Sequence, residues 1–468
     1  MHNDIESNFS KKRILVVTSL ASFCASSMST AISLALPSIR EEFSMGAILL
    51  GWVATSFVLA TAVTMVPIGR LADILGRNKI LRYGILLFSI SSFLCAISQS
   101  DIMLISLRII QGVGAAMIWG PSIALLTSVF PPGERGTAIG INTFAIYCGI
   151  SLGPLLGGLL TQNFGWRSIF YFAALLGTIT VILAFWRLRK GEWVEAKGER
   201  YDITGSLILI ISLTMFMYGF TLIPTTLSAV LILFGIIGLF IFSWLEAKVG
   251  NPVLNVSVFR KNRAFILSNL AALIHYSCTS APIFIMSLYL QYNKGFSPQY
   301  AGLVLVIQPV VMAAFAPIAG RISDRMEPLR VSAIGLGANC LAFFLLFFIT
   351  GESSIWYIAT SLVIVGFGIG FFGTSNTNAV MGTVDNKFFG VASGTVATMR
   401  HSGQVLSMGI LLILFSIYIG TAQLTPEYYS AFLVSAKVAF IIFSILSFGG
   451  VFVCLAGGKA AVKTKKVT

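Results

Sequence analysis

Residues 47–69 read AILLGWVATSFVLATAVTMVPIG and run straight into Arg70-Leu71-Ala72-Asp73-Ile74-Leu75-Gly76-Arg77-Asn78-Lys79. The first stretch is uncharged and long enough to cross a bilayer core, which takes about 20 helical residues. The second stretch carries three basic side chains, Arg70, Arg77 and Lys79, and one acid, Asp73. Lys and Arg remain in the cytoplasm when a span inserts. One apolar run followed by one basic loop therefore predicts both a spanning helix and its direction, with residue 69 at the cytoplasmic end.

The same alternation extends along the whole chain. Apolar stretches fall at 14–37, 47–69, 80–98, 102–128, 136–160, 166–186, 203–222, 226–247, 265–291, 300–319, 329–349, 355–380, 389–419 and 431–457, fourteen in all. Of 31 Lys and Arg, 25 lie in the terminal segments or in the connections on their side. Arg40, Arg167 and Lys294 lie on the other side, and Arg108, Arg400 and Lys437 fall inside spans. An even number of spans with both termini cytoplasmic follows. A water-soluble globule is excluded, because 56% hydrophobic and 10% charged residues leave too little polar surface to coat it.

The net charge of +14 is spread over the cytoplasmic loops and the tail residues Lys459, Lys463, Lys465 and Lys466. That distribution fits topology and contact with anionic lipid headgroups, not nucleic acid. The cysteines, Cys24, Cys95, Cys148, Cys278, Cys340 and Cys454, all lie in spans without a CxxC, so neither a disulfide framework nor a metal site is expected. No cofactor is expected either. The first twelve residues are polar and lead directly into a full-length span, which does not read as a cleavable signal.

The chain repeats itself. Gly69-Arg70-Leu71-Ala72-Asp73 recurs as Gly320-Arg321-Ile322-Ser323-Asp324 at an offset of 251, each after a Pro-Ile pair at Pro67 or Pro317. Both copies follow the second span of a six-span set if spans 7 and 8 are an insert. The expected organisation is a six-helix bundle at 14–187, a two-helix insert at 203–247 and a second six-helix bundle at 265–457. Parallel repeats of this kind are a transporter architecture with the substrate site between the halves. Gly112, Gly114 and Gly120 cluster in span 4, and Gly366, Gly368, Gly370 and Gly373 in span 12. Gly149, Gly153, Gly157 and Gly158 surround Pro154 in span 5. Small residues allow close helix approach, and the proline predicts a bend.

The stretch Gly69–Lys79 closely resembles the loop 2–3 signature of the major facilitator superfamily. Arg108-Ile109-Ile110-Gln111-Gly112-Val113-Gly114-Ala115-Ala116 resembles its helix 4 signature, and Gly149–Gly158 resembles the helix 5 signature associated with antiporters. Leu290-Gln291, Gly295-Phe296-Ser297-Pro298 and Ala301-Gly302, with fourteen spans, resemble the fourteen-helix drug–proton antiporter branch. The resemblance covers essentially the whole chain. It implies an all-α polytopic membrane protein of the major facilitator fold, with two six-helix bundles and two inserted helices. It also implies alternating-access efflux of a small molecule against protons, of the multidrug-resistance type.

Each motif also has a plain physical reading. Asp73 can cap a helix N-terminus and pair with Arg70 or Arg77, so Gly69, Asp73, Gly76 and Arg77 form either a conformational clamp or a solvated topogenic loop. A guanidinium inside a span must be paired or face water. Arg108, with Gln111 on the same face, therefore either serves proton coupling in a cavity, as the resemblance implies, or bonds to neighbouring carbonyls. His275, in the span equivalent to span 1, is either the proton carrier or a satisfied core histidine. Arg400 and His401 either make a cationic spot in the cavity or stabilise helix contacts, and Lys437 can snorkel to the interface.

One departure from the family matters. The antiporter branch typically carries an acid in helix 1, nine residues before a proline; here Met28 stands in that position relative to Pro37. No acid falls near the middle of any span, and Glu246 sits at the cytoplasmic end of span 8. Anionic, zwitterionic or neutral lipophilic substrates suit such a chain better than cations. The expectations are thus a monomeric multi-pass carrier in the plasma (cytoplasmic) membrane, the cell inner membrane, whose partners are substrate, protons and lipid. Its rivals are an uncoupled or importing carrier of a specific metabolite, and a non-transporting sensor or assembly factor. An enzyme is disfavoured, since no catalytic constellation occurs and Gly-x-x-x-x-Gly-Lys-[Ser/Thr] is absent.

This topology places residues 80–82, 197 and 261 inside and residues 42, 294 and 427 outside. Single cysteines at the second set should react with an impermeant maleimide added to intact cells, and those at the first set should not. Labelling at residue 197 from outside would overturn the span count or the orientation.

Overall fold

The computed structural model describes residues 2–45, 47–188, 196, 198–254, 262–296, 298–420 and 429–465, with backbone alone for 2–10, 47, 48, 298, 299 and 459–465. Positions 197, 261 and 427 and Ser297 lie outside the described residues, as does most of the stretch joining 188 to 198. No strand occurs among the described residues. Among the described residues, fourteen helices are long and apolar enough to cross a membrane. We number them α1 Lys11–Leu34, α2 Leu49–Leu75, α3 Arg77–Ala96, α4 Asp101–Val129, α5 Arg135–Phe164, α6 Arg167–Arg187 and α7 Ile203–Thr221. The others are α8 Thr226–Glu246, α9 Arg263–Asn293, α10 Tyr300–Arg325, α11 Pro328–Phe347, α12 Ile355–Met381, α13 Asn386–Tyr418 and α14 Tyr429–Gly458. This is a multi-pass membrane protein: with no water in a bilayer core, a helix that satisfies its own backbone is the available solution for such sequences. Large side chains such as Phe240 and Trp244 on α8 remain exposed, as a lipid-facing surface requires.

The chain forms two compact units. One contains Met1–Ile210, Glu246–Asn255 and Val384–Thr398; the other contains Ile211–Leu245, Val256–Thr383 and Met399–Thr468. In the first unit, α1 packs on α5 and α6, α4 on α2 and α3, and α3 on α6. In the second, α9 packs on α14, α12 on α10 and α11, and α11 on α14. Apart from the α1–α5 contact, the second set reproduces the first with every helix advanced by eight. The repeat reaches individual contacts. A Cβ on Gly84 of α3 would strike Met117 of α4, and a Cβ on Gly335 of α11 would strike Gly368 of α12, the same positions displaced by 251.

The helix 5 glycines have a defined partner. Added Cβ atoms at Gly149, Gly153 and Gly157 would collide with main-chain oxygens of Phe23, Ser27 and Ala31 on α1. Both series are spaced by four residues, so one stripe of each helix lies backbone to backbone against the other, with the Thr30 side chain of α1 seated beside Gly153. Pro154 has no N–H for the carbonyl of Ile150. The Thr30 hydroxyl of α1 donates to that oxygen at 3.4 Å instead, and α5 continues as helix to Phe164.

α9 is interrupted. Its helix runs Arg263–Tyr276, resumes at Ser280–Leu288 and ends in a wide turn at Tyr289–Asn293. At the interruption, the Ser277 hydroxyl donates to Leu273 O at 2.8 Å and the Thr279 hydroxyl to Tyr276 O at 2.8 Å. These hydroxyls compete with backbone donors for helical carbonyls. Pro282, lacking an N–H, opens the second segment. On the opposite side of unit 1 from Arg70, Glu42 accepts from Arg167 at 2.6 Å and from the Trp166 indole N–H at 2.7 Å. These donors, Arg167 first, hold its carboxyl below the usual range.

The α1–α5 contact predicts opposite outcomes for two Gly→Ala changes. Gly153→Ala forces a methyl onto Thr30 and the Ser27 carbonyl, while Gly51→Ala enters open space and gains helix propensity. In detergent, Gly153→Ala should melt earlier, by an overpacking cost of about 1–3 kcal/mol. Gly51→Ala should melt no earlier than the parent. Equal midpoints for the two variants would contradict the close approach.

Candidate functional site

The strongest concentration of buried charge lies where α2 ends. Gly76, at φ 108°, makes the turn between α2 and α3, a backbone region that L side chains rarely adopt. That turn sets Asp73, in the last turn of α2, beside Arg77 in the first turn of α3. Both side chains are fully buried. Asp73 Oδ1 accepts from Arg77 Nε at 2.9 Å and Nη2 at 2.8 Å. It also accepts from the Gly390 N–H at 2.9 Å, while Oδ2 accepts from the Val391 N–H at 3.1 Å. Gly390 and Val391 belong to the first turn of α13, whose regular helix begins at Phe389.

The first amides of a helix have no intrahelical acceptor and carry its positive dipole end. Asp73 therefore caps α13 from another helix. Arg77 extends the contact, donating to Ser128 Oγ and to the carbonyl of Asn386. Arg77 and Arg135 both stand over the Phe389 ring at 5.3 Å. Glycines make the approach possible: a Cβ on Gly69 would meet the Gly390 carbonyl, and one on Gly394 would meet the Met65 carbonyl.

Of the two arginines near Asp73, Arg77 is its partner. Arg70 instead binds Glu199, which also binds Lys387. Burial pushes the Glu199 carboxyl up, but hydrogen bonds from Lys387 and Arg70 outweigh it and hold the carboxyl below the usual range. Its folded value being depressed, the stabilisation is present above the ordinary carboxylate range and is lost only as pH falls through the lower folded value. Glu199 therefore keeps its charge at neutral and mildly acidic pH.

Deeper in the same unit, Arg108 is completely buried. Its Nε donates to the Val53 carbonyl at 2.9 Å, its Nη1 to Gln111 Oε1 at 2.6 Å, and it lies 4.4 Å from the Phe57 ring centre. Gln111 in turn donates to Ser92 Oγ at 2.7 Å. Arg108 Nη2 is buried without a hydrogen-bond partner. Met28 lies in the apolar core of this unit.

The second unit brings both His275 and Arg400 against Tyr276. The His275 ring stands edge-on to Tyr276 at 5.0 Å, and the Arg400 guanidinium lies over Tyr276 at 5.0 Å. His275 is buried, stacks on Phe372 at 3.9 Å, and its Nδ1 is 3.4 Å from Asn339 Nδ2. Its Nε2 has no hydrogen-bond partner. His401 Nδ1 lies 3.2 Å from Gln404 Oε1.

Sequence reading missed several participants. Glu199 and Lys387 carry no motif, and each is far along the chain from Arg70. Gly390 and Gly394 form a small-x-x-x-small pair that identifies α13 as a close-packing helix. The run Thr374-Ser375-Asn376-Thr377-Asn378 in α12 is buried throughout, an unusual density of polar groups for a span. Asn378 Nδ2 donates to Ser323 Oγ at 3.0 Å, tying that run to the repeat copy of the α2 motif.

The chain was compared with known proteins. The family profile of the Major Facilitator Superfamily matches residues 18–408. "Riboflavin transporter RibZ" of Clostridioides difficile is 28% identical, over 93% of this chain and 95% of that protein. "Multidrug resistance protein Stp" of Mycobacterium tuberculosis is 28% identical, over 88% of this chain and 77% of that protein. Among solved structures, the human organic anion transporter MFSD10 (TETRAN) superposes with a TM-score of 0.72 at 16% identity, over 95% of this chain and 99% of that one.

Asp73→Asn replaces one acceptor oxygen by an NH2 that must face a main-chain N–H or Arg77, so the cap loses at least one bond. Transport should slow while folding persists, a change of about 1–2 kcal/mol between conformations. Asp324→Asn should act more weakly, since Gly76 and Arg77 have no counterparts in its loop. Wild-type initial rates for Asp73→Asn, at matched expression, would show the cap to be dispensable.

Proposed function

This chain belongs to the Major Facilitator Superfamily of transporters, and we propose that it exports small lipophilic, neutral or anionic compounds in exchange for protons by alternating access. The observation that carries this reading is the Asp73 cap. A carboxylate that holds the first amides of another helix has two stable conditions, docked on those amides or released into cytoplasmic water. Such a contact suits a carrier that must close and open one face. The glycine stripe between α1 and α5 supports the reading as well, because a contact made largely of backbone, with small side chains only, can slide.

The charge inside the spans favours the substrate class. Among the described residues of the spans, Asp73, Asp101, Glu246 and Asp324 all lie within a turn of a helix end. Arg108, His275, Arg400 and His401 lie deeper. A cation entering such an environment loses hydration without gaining a countercharge, whereas an anion or a hydrogen-bonding neutral molecule does not. His275, with one ring nitrogen unpartnered, is the proton carrier on this reading, and Arg108 tunes the coupling. The cytoplasmic side holds both termini, in the plasma membrane. A second reading, a carrier dedicated to one metabolite, draws on the relative named as a riboflavin transporter, which matches nearly the whole chain.

Inverted vesicles carrying the protein should accumulate neutral and anionic compounds from a mixed panel, and a proton-gradient dissipator should abolish the uptake. Permanently cationic dyes should be poor substrates, and His275→Ala should flatten the pH profile. Strong, gradient-driven uptake of cationic dyes would refute the charge argument. Uptake of a single compound, indifferent to the dissipator, would favour the metabolite carrier.

A further inference from the structure

The polar contacts around Arg70 place a piece of the inter-bundle connection directly on the Asp73 cap. The Ala196 N–H donates to the Asp73 carbonyl at 3.2 Å, and the Glu199 N–H returns to the Ala196 carbonyl at 3.2 Å, closing a turn at Gly198, whose φ is 88°. From that turn Glu199 reaches two cations, Arg70 at the end of α2 through Oε2 and Lys387 at the start of α13 through Oε1. Tyr201 then donates its hydroxyl to the Pro67 carbonyl at 3.4 Å. Asp202 immediately caps α7, accepting from the Gly205 N–H at 2.9 Å. Residues 199–202 are therefore bonded to both sides of the cap and lead directly into α7.

The return from that pair is fixed as well. Glu246, at the end of α8, accepts from the Leu254 N–H at 3.1 Å. Residues Gly250–Val253 face Arg70, Glu199, Lys387 and Phe388 across a small cavity of about 90 Å³. Arg70 is 3% exposed, so its charge depends on these neighbours for compensation. Loss of its carboxylate partner would leave a buried cation, a far larger penalty than loss of a solvated ion pair.

We propose that Glu199 is a positioning residue of the transport cycle: through Arg70 and Lys387 it holds residues 199–202, the lead into α7, as a strap across the Asp73 cap. The proposal rests on the cap opening and closing during transport. Undocking of α13 requires the Arg70–Glu199–Lys387 bridge to part together with the amide contacts of Asp73. The strap thus biases the carrier toward the docked arrangement without touching substrate.

Ser393 is a suitable reporter, because it is buried on the first turns of α13 and its hydroxyl donates to the Gly120 carbonyl at 2.8 Å. Ser393→Cys, in a background with Cys148 and Cys340 replaced by alanine, is reacted with a soluble maleimide in inside-out vesicles without substrate. Adding Glu199→Gln should raise the labelling rate at least about tenfold, because Arg70 is then left buried without its carboxylate. Glu199→Asp, which keeps the charge, should restore part of the protection, and Lys387→Gln should add little to Glu199→Gln. Unchanged labelling, or independent and additive effects of Glu199→Gln and Lys387→Gln, would overturn the strap and leave the export reading untouched. Raised labelling in a protein that moves no compound of the panel would support the strap and reject the export reading.

Discussion

The contact between α2 and the start of α13 is organised by one carboxylate. Asp73 is buried, and its oxygens are filled by the Arg77 guanidinium and by the amides of Gly390 and Val391. Removing a single partner from a buried ion pair costs roughly 3–5 kcal/mol, because the remaining charge is stranded. Releasing the whole contact into water is much less costly, because every group is hydrated at once. This difference favours two discrete arrangements over a continuum, which is the property a switching carrier needs.

Glycine is what permits the contact. Gly69 and Gly390 face one another, and a side chain on either would separate α2 from α13 before the Asp73 oxygens reached the amides. The same device recurs away from the cap, along α1 and α5 and at the paired positions Gly84 and Gly335. Helices in lipid gain little from burying apolar side chains against one another, so van der Waals contact between backbones takes over that task. Removing side chains also exposes carbonyls for bonding by neighbouring helices, as the Thr30 hydroxyl shows at Ile150.

The fold was legible in the sequence because its signals are local or periodic. Each span announces itself within about 20 residues. The Gly-Arg-x-x-Asp repeat at 69 and 320 has the same offset, 251, as the paired contacts of Gly84 with Met117 and of Gly335 with Gly368. The site was legible only in part. That Asp73 could cap a helix followed from its chemistry, but the identity of that helix did not, since Gly390 is 317 residues away. The choice of Arg77 over Arg70 depended on Glu199, a linker residue without any motif. The break in α9 followed from Ser277, Thr279 and Pro282 acting together, and a hydropathy window averages such residues away. His275 and Arg400 were each visible as rare ionisable groups in spans. Their common neighbour, Tyr276, was invisible because a tyrosine in a span is ordinary.

The central claim is that the Asp73 cap on α13 docks and releases. Spin labels at Leu75→Cys and Asp385→Cys, both exposed positions flanking the cap, allow it to be measured as a distance distribution in lipid nanodiscs. The account predicts a short and a long population in the parent protein, and a shift to the long population in Asp73→Ala. One distance, unchanged by Asp73→Ala, would contradict it.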